Sequence, residues 1–121
     1  MERVNFIDHK EKKILHLDFS NSKNPQEIAD AIAHAKAVAA QNPPKSLLCL
    51  TDVSESLWTK DLVESIKNLA KCNAPYVKAS AVLGITGMKK YLLNAVLQFS
   101  GRKIVAFDQK QEAQDWLVSQ N

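Results

Sequence analysis

Three stretches of this 121-residue chain carry side chains capable of chemistry. The first is "VLGITGMKKYLLNAV" (Val82 to Val96), where Gly84 and Gly87 precede Lys89 and Lys90. A phosphate-cradling P-loop needs G-x-x-x-x-G-K-[ST]; here the spacing is two residues short and no hydroxyl is placed for Mg²⁺. What remains is a turn into a helix, with Thr86 as its cap. Exposed backbone amides at such a start can hold an anion. Lys89 and Lys90 in the first turn oppose the helix dipole, which costs about 0.3–1 kcal/mol each when exposed. Two readings follow: solvated lysines on a packed helix, or cations that await an anionic ligand or a partner's carboxylate.

The second stretch is "TDVSESLWT" (Thr51 to Thr59), with Asp52, Ser54, Ser56, Trp58 and Thr59. With Thr86, Lys89 and Asp108 these residues follow the ends of three apolar runs. If the runs are parallel strands, this is the edge where α/β sheets bind ligands. Asp52 and Asp108 read most simply as loop and cap residues, and Trp58 as a partner contact or a lid over the core. The third set is the histidines. His34 sits one turn after Asp30, as a surface pair would; His9 is in a turn and His16 is alone. None has a nucleophile partner, and two-histidine metal spacing is absent. The chain therefore reads as a non-enzyme without metal or cofactor.

The elements that must position these residues are legible from pattern. "VNFID" and "KILHLDF" read as strands joined by a charged turn. In the second, Leu15, Leu17 and Phe19 share one face, and Ile14, His16 and Asp18 the other. Asn24 caps a helix with Pro25 at its first position and Ile28, Ile32, Ala35 and Ala39 on one stripe. "NPP" ends it. "SLLCL" (Ser46 to Leu50) is apolar on both faces, as a central strand is. A helix from about Lys60 to Lys71 buries Leu62, Ile66, Leu69 and Ala70. A strand over Val77 to Gly84 follows, then a helix from Thr86 to Phe99 stopped by Ser100-Gly101. A last strand covers Lys103 to Phe107. Asp108 then caps a final helix that buries Ala113, Trp116 and Leu117. The order β-β-α-β-α-β-α-β-α predicts an α/β fold with a mixed, mostly parallel sheet in one domain spanning residues 1–121.

In the helix after Gly87, Met88, Leu92, Ala95, Val96 and Phe99 make one core-facing stripe. Leu93 and Leu97 fall outside it, toward Lys90. One stripe suffices for a surface helix. The two extra leucines rest on a neighbouring helix, form a homodimer patch, or wall an apolar pocket.

Bulk properties bound the function further. Sixteen basic and thirteen acidic residues give a net charge of +3 with no long like-charge run, so no nucleic-acid stripe is present. Cys49 and Cys72 have no metal or CxxC spacing, which suits reduced thiols and a cytoplasmic location. The N-terminal stretch lacks a signal-peptide apolar core, and no segment is long enough for a membrane span.

The strings "KILHLDFSN", "LLCLTDVS", "APYVKASAVLGITGMKKYLLNAV", "SGRKIVAFD" and "EAQDWL" resemble the STAS fold of sulfate transporters and anti-sigma-factor antagonists. They are most like its stand-alone SpoIIAA-like bacterial members, which have also been compared with the Sec14 lipid-binding fold. The resemblance spans nearly the whole chain. It implies a regulatory, protein-binding module, or in the Sec14 sense a binder of a small anionic amphipathic ligand. Anti-sigma antagonists carry a phosphorylated serine in an Asp-Ser-Ser-Gly pattern. The resemblance puts Thr59 near that position, but Leu57, Trp58 and Lys60 replace the rest of the pattern. Ser54 is the other hydroxyl in this loop. The residues expected to matter are thus Ser54, Trp58, Thr59, Gly84, Thr86, Gly87, Lys89, Lys90, Leu93 and Leu97.

Overall fold

The structure is a computed structural model that describes residues 3–86, 89–100 and 103–120, the side chains at 99 and 100 excepted. Gly87, Met88 and Gly101, expected in the turn, the stripe and the stop, lie outside the described residues, as do the side chains of Phe99 and Ser100. The elements are β1 (Val4–His9), β2 (Lys12–Asp18), α1 (Pro25–Ala39), β3 (Leu47–Asp52), α2 (Lys60–Asn73), β4 (Val77–Leu83), α3 (Lys89–Ser100), β5 (Ile104–Phe107) and α4 (Lys110–Val118). A single 3-10 turn, Ala74–Tyr76, links α2 to β4. The order is the one the pattern predicts.

The five strands form one sheet in the order β1-β2-β3-β4-β5. β1 and β2 are antiparallel, and every later pairing is parallel. The hairpin turn places both Lys10 and Glu11 at positive φ (49° and 69°), the backbone of the turn whose twist matches a right-handed hairpin. β3 extends two residues beyond Leu50. Thr51 and Asp52 stay in the ladder because β2 and β4 pair with them on both sides, Asp52 opposite Asp18 and Leu83. The apolar run alone predicts a strand that stops at Leu50.

Alternation along the strands divides the core by face. Leu15, Leu17, Phe19, Leu47, Cys49 and Val82 point toward α1 and α2. Ile14, Leu48, Leu50, Ala81 and Leu83 point to the other face, where Ala113 and Leu117 of α4 close on them. Ala31, Ala35 and Ala39 are fully buried on α1, so that helix lies close to the sheet, as its alanine content predicts. Its cap is the expected one: Asn24 accepts from the Gln26 amide at 3.0 Å.

α4 differs in two details from expectation. Its cap residue is Gln109 rather than Asp108, and no side chain caps it. Trp116 is only half-buried; it tilts against Phe107, with ring centroids 5.7 Å apart. Asp30 accepts from Gln26 at 2.8 Å instead of pairing with His34, whose Nδ1 is buried without a hydrogen-bond partner.

Candidate functional site

The carboxyl edge of the sheet is built from two copies of one small device. Asp18 ends β2 and Asp52 ends β3, in register with each other. Each carboxylate turns back on the amide two residues later: Asp18 Oδ1 accepts from Ser20 N, and Asp52 Oδ1 from Ser54 N, both at 2.9 Å. The Ser20 hydroxyl also donates to Asp18. Such turns satisfy backbone amides that leave a strand with no ladder partner. The residue between is buried in each case, Phe19 and Val53. The two loops are then stitched together, Phe19 N to Asp52 O, Asn21 N to Ser54 O, and Leu57 N to Ser22 O, each at 2.9 Å. The repeated pattern Asp-apolar-Ser after two strands was the sequence signal for this device.

Burial works against the Asp18 carboxylate, but hydrogen bonds from Ser20, with the charges of His16 and Arg3, hold it below its ordinary range. His16 shares its face of the sheet. Burial, then the charge of Lys110, pushes its imidazole below the ordinary value, against the pull of Asp18 and Asp52.

Gly84 and Ser54 belong to this edge and are structural there. Gly84 has φ +85°, the left-handed region that favours glycine. A Cβ at that position would lie 2.6 Å from Ser54 N and 2.7 Å from Ser54 Cα. The glycine lets the chain after β4 touch the loop after β3. Val53 N donates to Leu83 O at 3.0 Å beside it.

Trp58 is a lid. It is half-buried, its ring stands edge-on to Phe19 at 5.7 Å and 88°, and its Nε1 donates to Ser56 Oγ at 2.8 Å. Ser56 in turn donates to Val53 O at 2.6 Å. With Trp58 turned inward, Leu57 is turned out and is 48% exposed. Thr59 is the N-cap of α2, its Oγ1 accepting from Leu62 N at 3.2 Å.

α2 and α3 then run side by side. An open groove of about 610 Å³ lies between their N-terminal halves. Of the expected site residues it brings together Trp58, Thr59, Thr86 and Lys89. It adds two that sequence reasoning missed, Leu57 and Tyr91, and Tyr91 is 74% exposed. Tyr91 lies one position from the lysines that drew attention, yet nothing in the helical stripe assigns it to a site. The groove continues past Tyr91 and Ala95 to Asn94 and Gln98. α3 begins at Lys89, whose amide donates to Thr86 O at 3.0 Å, and it has no acidic residue in its first turn. Lys90 is exposed and lines none of this surface.

Leu93 points elsewhere. With Leu92 and Val96 it roofs an apolar slot of about 70 Å³ over β3 and β4, between the sheet, α2 and α3. Leu97 is half-buried and lines neither space. Leu93 thus lines this slot beside α2 and packs against the core.

Among the described residues no group of three His, Cys, Asp or Glu side chains could hold a metal ion. No helix among them is long and apolar enough to cross a membrane.

No family model matches the chain, and no curated protein is similar to it. Among solved structures, the chain is similar to a crystal structure from Shewanella loihica PV-4, described as an uncharacterized protein of the DUF3478 family with a SpoIIAA-like fold. The TM-score is 0.72 at 14% identity, over 94% of this chain and 91% of that one. The fold is therefore SpoIIAA-like, with the mixed five-stranded sheet and four helices that the resemblance of the sequence implied.

Proposed function

From the SpoIIAA-like fold and the groove between α2 and α3, we propose that the protein is a non-catalytic regulatory module of the cytoplasm that docks a protein partner. One observation carries this reading. Tyr91 and Leu57 are large apolar side chains held in water on either side of an open groove. Tyrosine is a residue type that anchors interfaces, because its ring buries much area with little rotamer entropy lost. The loop beneath is pinned by hydrogen bonds with Phe19, Asn21 and Ser22, which lowers the ordering cost of docking on it. Thr59 at the groove wall, and Ser54 behind it, are the hydroxyls where a phosphate would alter docking.

Site-specific photo-crosslinking tests the reading. A benzophenone amino acid replaces Tyr91 in one variant and Glu112, on α4, in another. We expect a discrete crosslinked protein in cells from position 91 and none from position 112. Equal crosslinking from both positions, or none from position 91, would sink it.

A second reading rests on the slot under α3. Its lining by Leu92, Leu93, Val96 and Ile104 suits an acyl chain, with Lys89 and the Gly84–Thr86 turn near an anionic head. At about 70 Å³ it is far smaller than the roughly 300 Å³ at which ligand pockets begin, so α3 would have to lift for a lipid to enter. Native mass spectrometry of freshly purified protein decides it. Retained fatty acid or phospholipid that is lost in Leu93→Trp supports the slot, and an empty protein removes it.

A further inference from the structure

We infer that the partner segment seated in the α2–α3 groove is an acidic amphipathic helix. This rests on the groove being the docking surface, and it adds the chemistry of what docks.

The first argument is the backbone. The long walls of the groove are the N-terminal halves of two helices, whose carbonyls, and whose amides beyond the first turn, are already paired along the helix axis. Among the described residues no sheet edge borders it, so an extended segment would find no ladder to join there. Recognition must run through side chains, as when a helix lies in a helical groove.

The second argument is dimension. Lys60 to Lys67 along α2 covers about 10 Å, and Lys89 to Gln98 along α3 about 13 Å. That is the length of two to three turns of a third helix. Ala95, shared by the groove and its extension past Tyr91, leaves room for that helix to approach closely.

The third argument is charge. Lys60, Lys67 and Lys89 line the groove, against one acid, Glu64. Glu64 is already held by Lys67 at 3.2 Å. Lys60 and Lys89 make no ion pair among the described residues, and each sits in the first turn of its helix, where a cation opposes the dipole. Carboxylates on a docked helix would relieve both. Leu57 and Tyr91 would take its apolar stripe.

The test is selection from a displayed library of randomised peptides of about 15 residues, roughly four turns of helix. It is run in parallel on wild-type protein, Tyr91→Ala, and Lys60→Glu/Lys89→Glu. Circular dichroism checks that each variant is folded. We expect wild-type protein to select peptides rich in Asp and Glu, with apolar residues at i, i+3 or i+4, and i+7. Tyr91→Ala should weaken them about tenfold or more, an anchor-sized loss. The double charge variant should select basic peptides instead. Tyr91-dependent peptides that are neutral, basic or of alternating period overturn the acidic helix and leave the groove standing. No enrichment, or peptides indifferent to Tyr91→Ala, overturns the groove reading itself. Tyr91-dependent binding to phosphatidylglycerol vesicles in place of peptides would assign the same charge to a membrane surface and overturn the peptide partner.

Discussion

The two faces of the sheet are finished in different ways. On one, α4 drops Ala113 and Leu117 onto Ile14, Leu48, Leu50, Ala81 and Leu83, and every one of these is buried. The same helix is tied to the hairpin at its far end: Asp115 Oδ1 lies 2.7 Å from His9 Nε2 and 2.9 Å from Lys10 Nζ. On the other face α1 is packed as tightly, through three fully buried alanines, but α3 is not. It leaves a slot against the sheet and a groove against α2, and it holds Tyr91 in water. Side chains that stabilise thus occupy both faces, and the loosely packed ones are confined to the α3 end of one of them. Interfaces are drawn from the loosely packed parts of a molecule because their groups are not already used in the core.

The sharpest way to break this contrast is to compare leucines. Leu117→Ala removes a fully buried side chain from the α4 face and should cost about 2–5 kcal/mol. Leu93→Ala, at the edge of an existing slot, should cost less than half as much as Leu117→Ala. Urea unfolding measures both, and equal losses would mean that α3 is packed as tightly as α4.

Next in size is Gly84→Ala. The left-handed backbone and the contact with Ser54 together should cost about 1–3 kcal/mol. The loss should appear without any change at the α4 face, readable as faster amide exchange confined to the Ser54–Thr59 loop. A neutral substitution would show that the two loops are not wedged together.

The acid limb of stability should belong to the α4 side. Hydrogen bonds from His9 and then Lys10 hold the Asp115 carboxyl at about 2. Unfolded, it titrates near its ordinary 3.8. Between those values the unfolded chain binds more protons, so this contribution is complete above about pH 4 and lost as pH falls toward 2. His16 has the same sign at higher pH. Its folded value is depressed, so its contribution is complete above about pH 6.5 and declines as pH falls through that lowered value. Asp115→Asn should flatten the melting-temperature profile below pH 4, and His16→Gln the profile just below neutrality. Unchanged profiles would mean that neither group is linked to folding.

The smallest effect on stability should come from Tyr91, the residue proposed as the docking anchor. Tyr91→Ala should change unfolding free energy by no more than about 0.5 kcal/mol, as exposed substitutions do. A larger loss would mark Tyr91 as part of the fold.

Element order, strand faces and the Asn24 cap were legible in the sequence because each depends on neighbours within a turn or two. The end of β3 was not. Thr51 and Asp52 are polar, and only the strands on both sides keep them in the ladder. That Leu57 is the exposed apolar residue of this loop and Trp58 the inward one was hidden for a similar reason. Which of two adjacent apolar residues turns inward depends on Leu57 N reaching Ser22 O, a contact between distant segments. Tyr91 was passed over because a helical stripe shows which side faces the core, not which outward residue borders a neighbouring helix. Lys89, Thr59 and Thr86 were singled out individually; their meeting in one groove is a property of α2 and α3 lying side by side.

The strand order carries a last consequence. In this sheet each parallel crossover returns to the adjacent strand, and α1, α2 and α3 all lie on the same side. Open α/β sheets form a ligand crevice where successive helices leave toward opposite sides and the strand order reverses. The run from β2 to β5 contains no such reversal, so the strand ends are never prised apart. The twin aspartate turns close that edge instead. With that edge closed, the open groove is left between helices, which is where the exposed tyrosine stands.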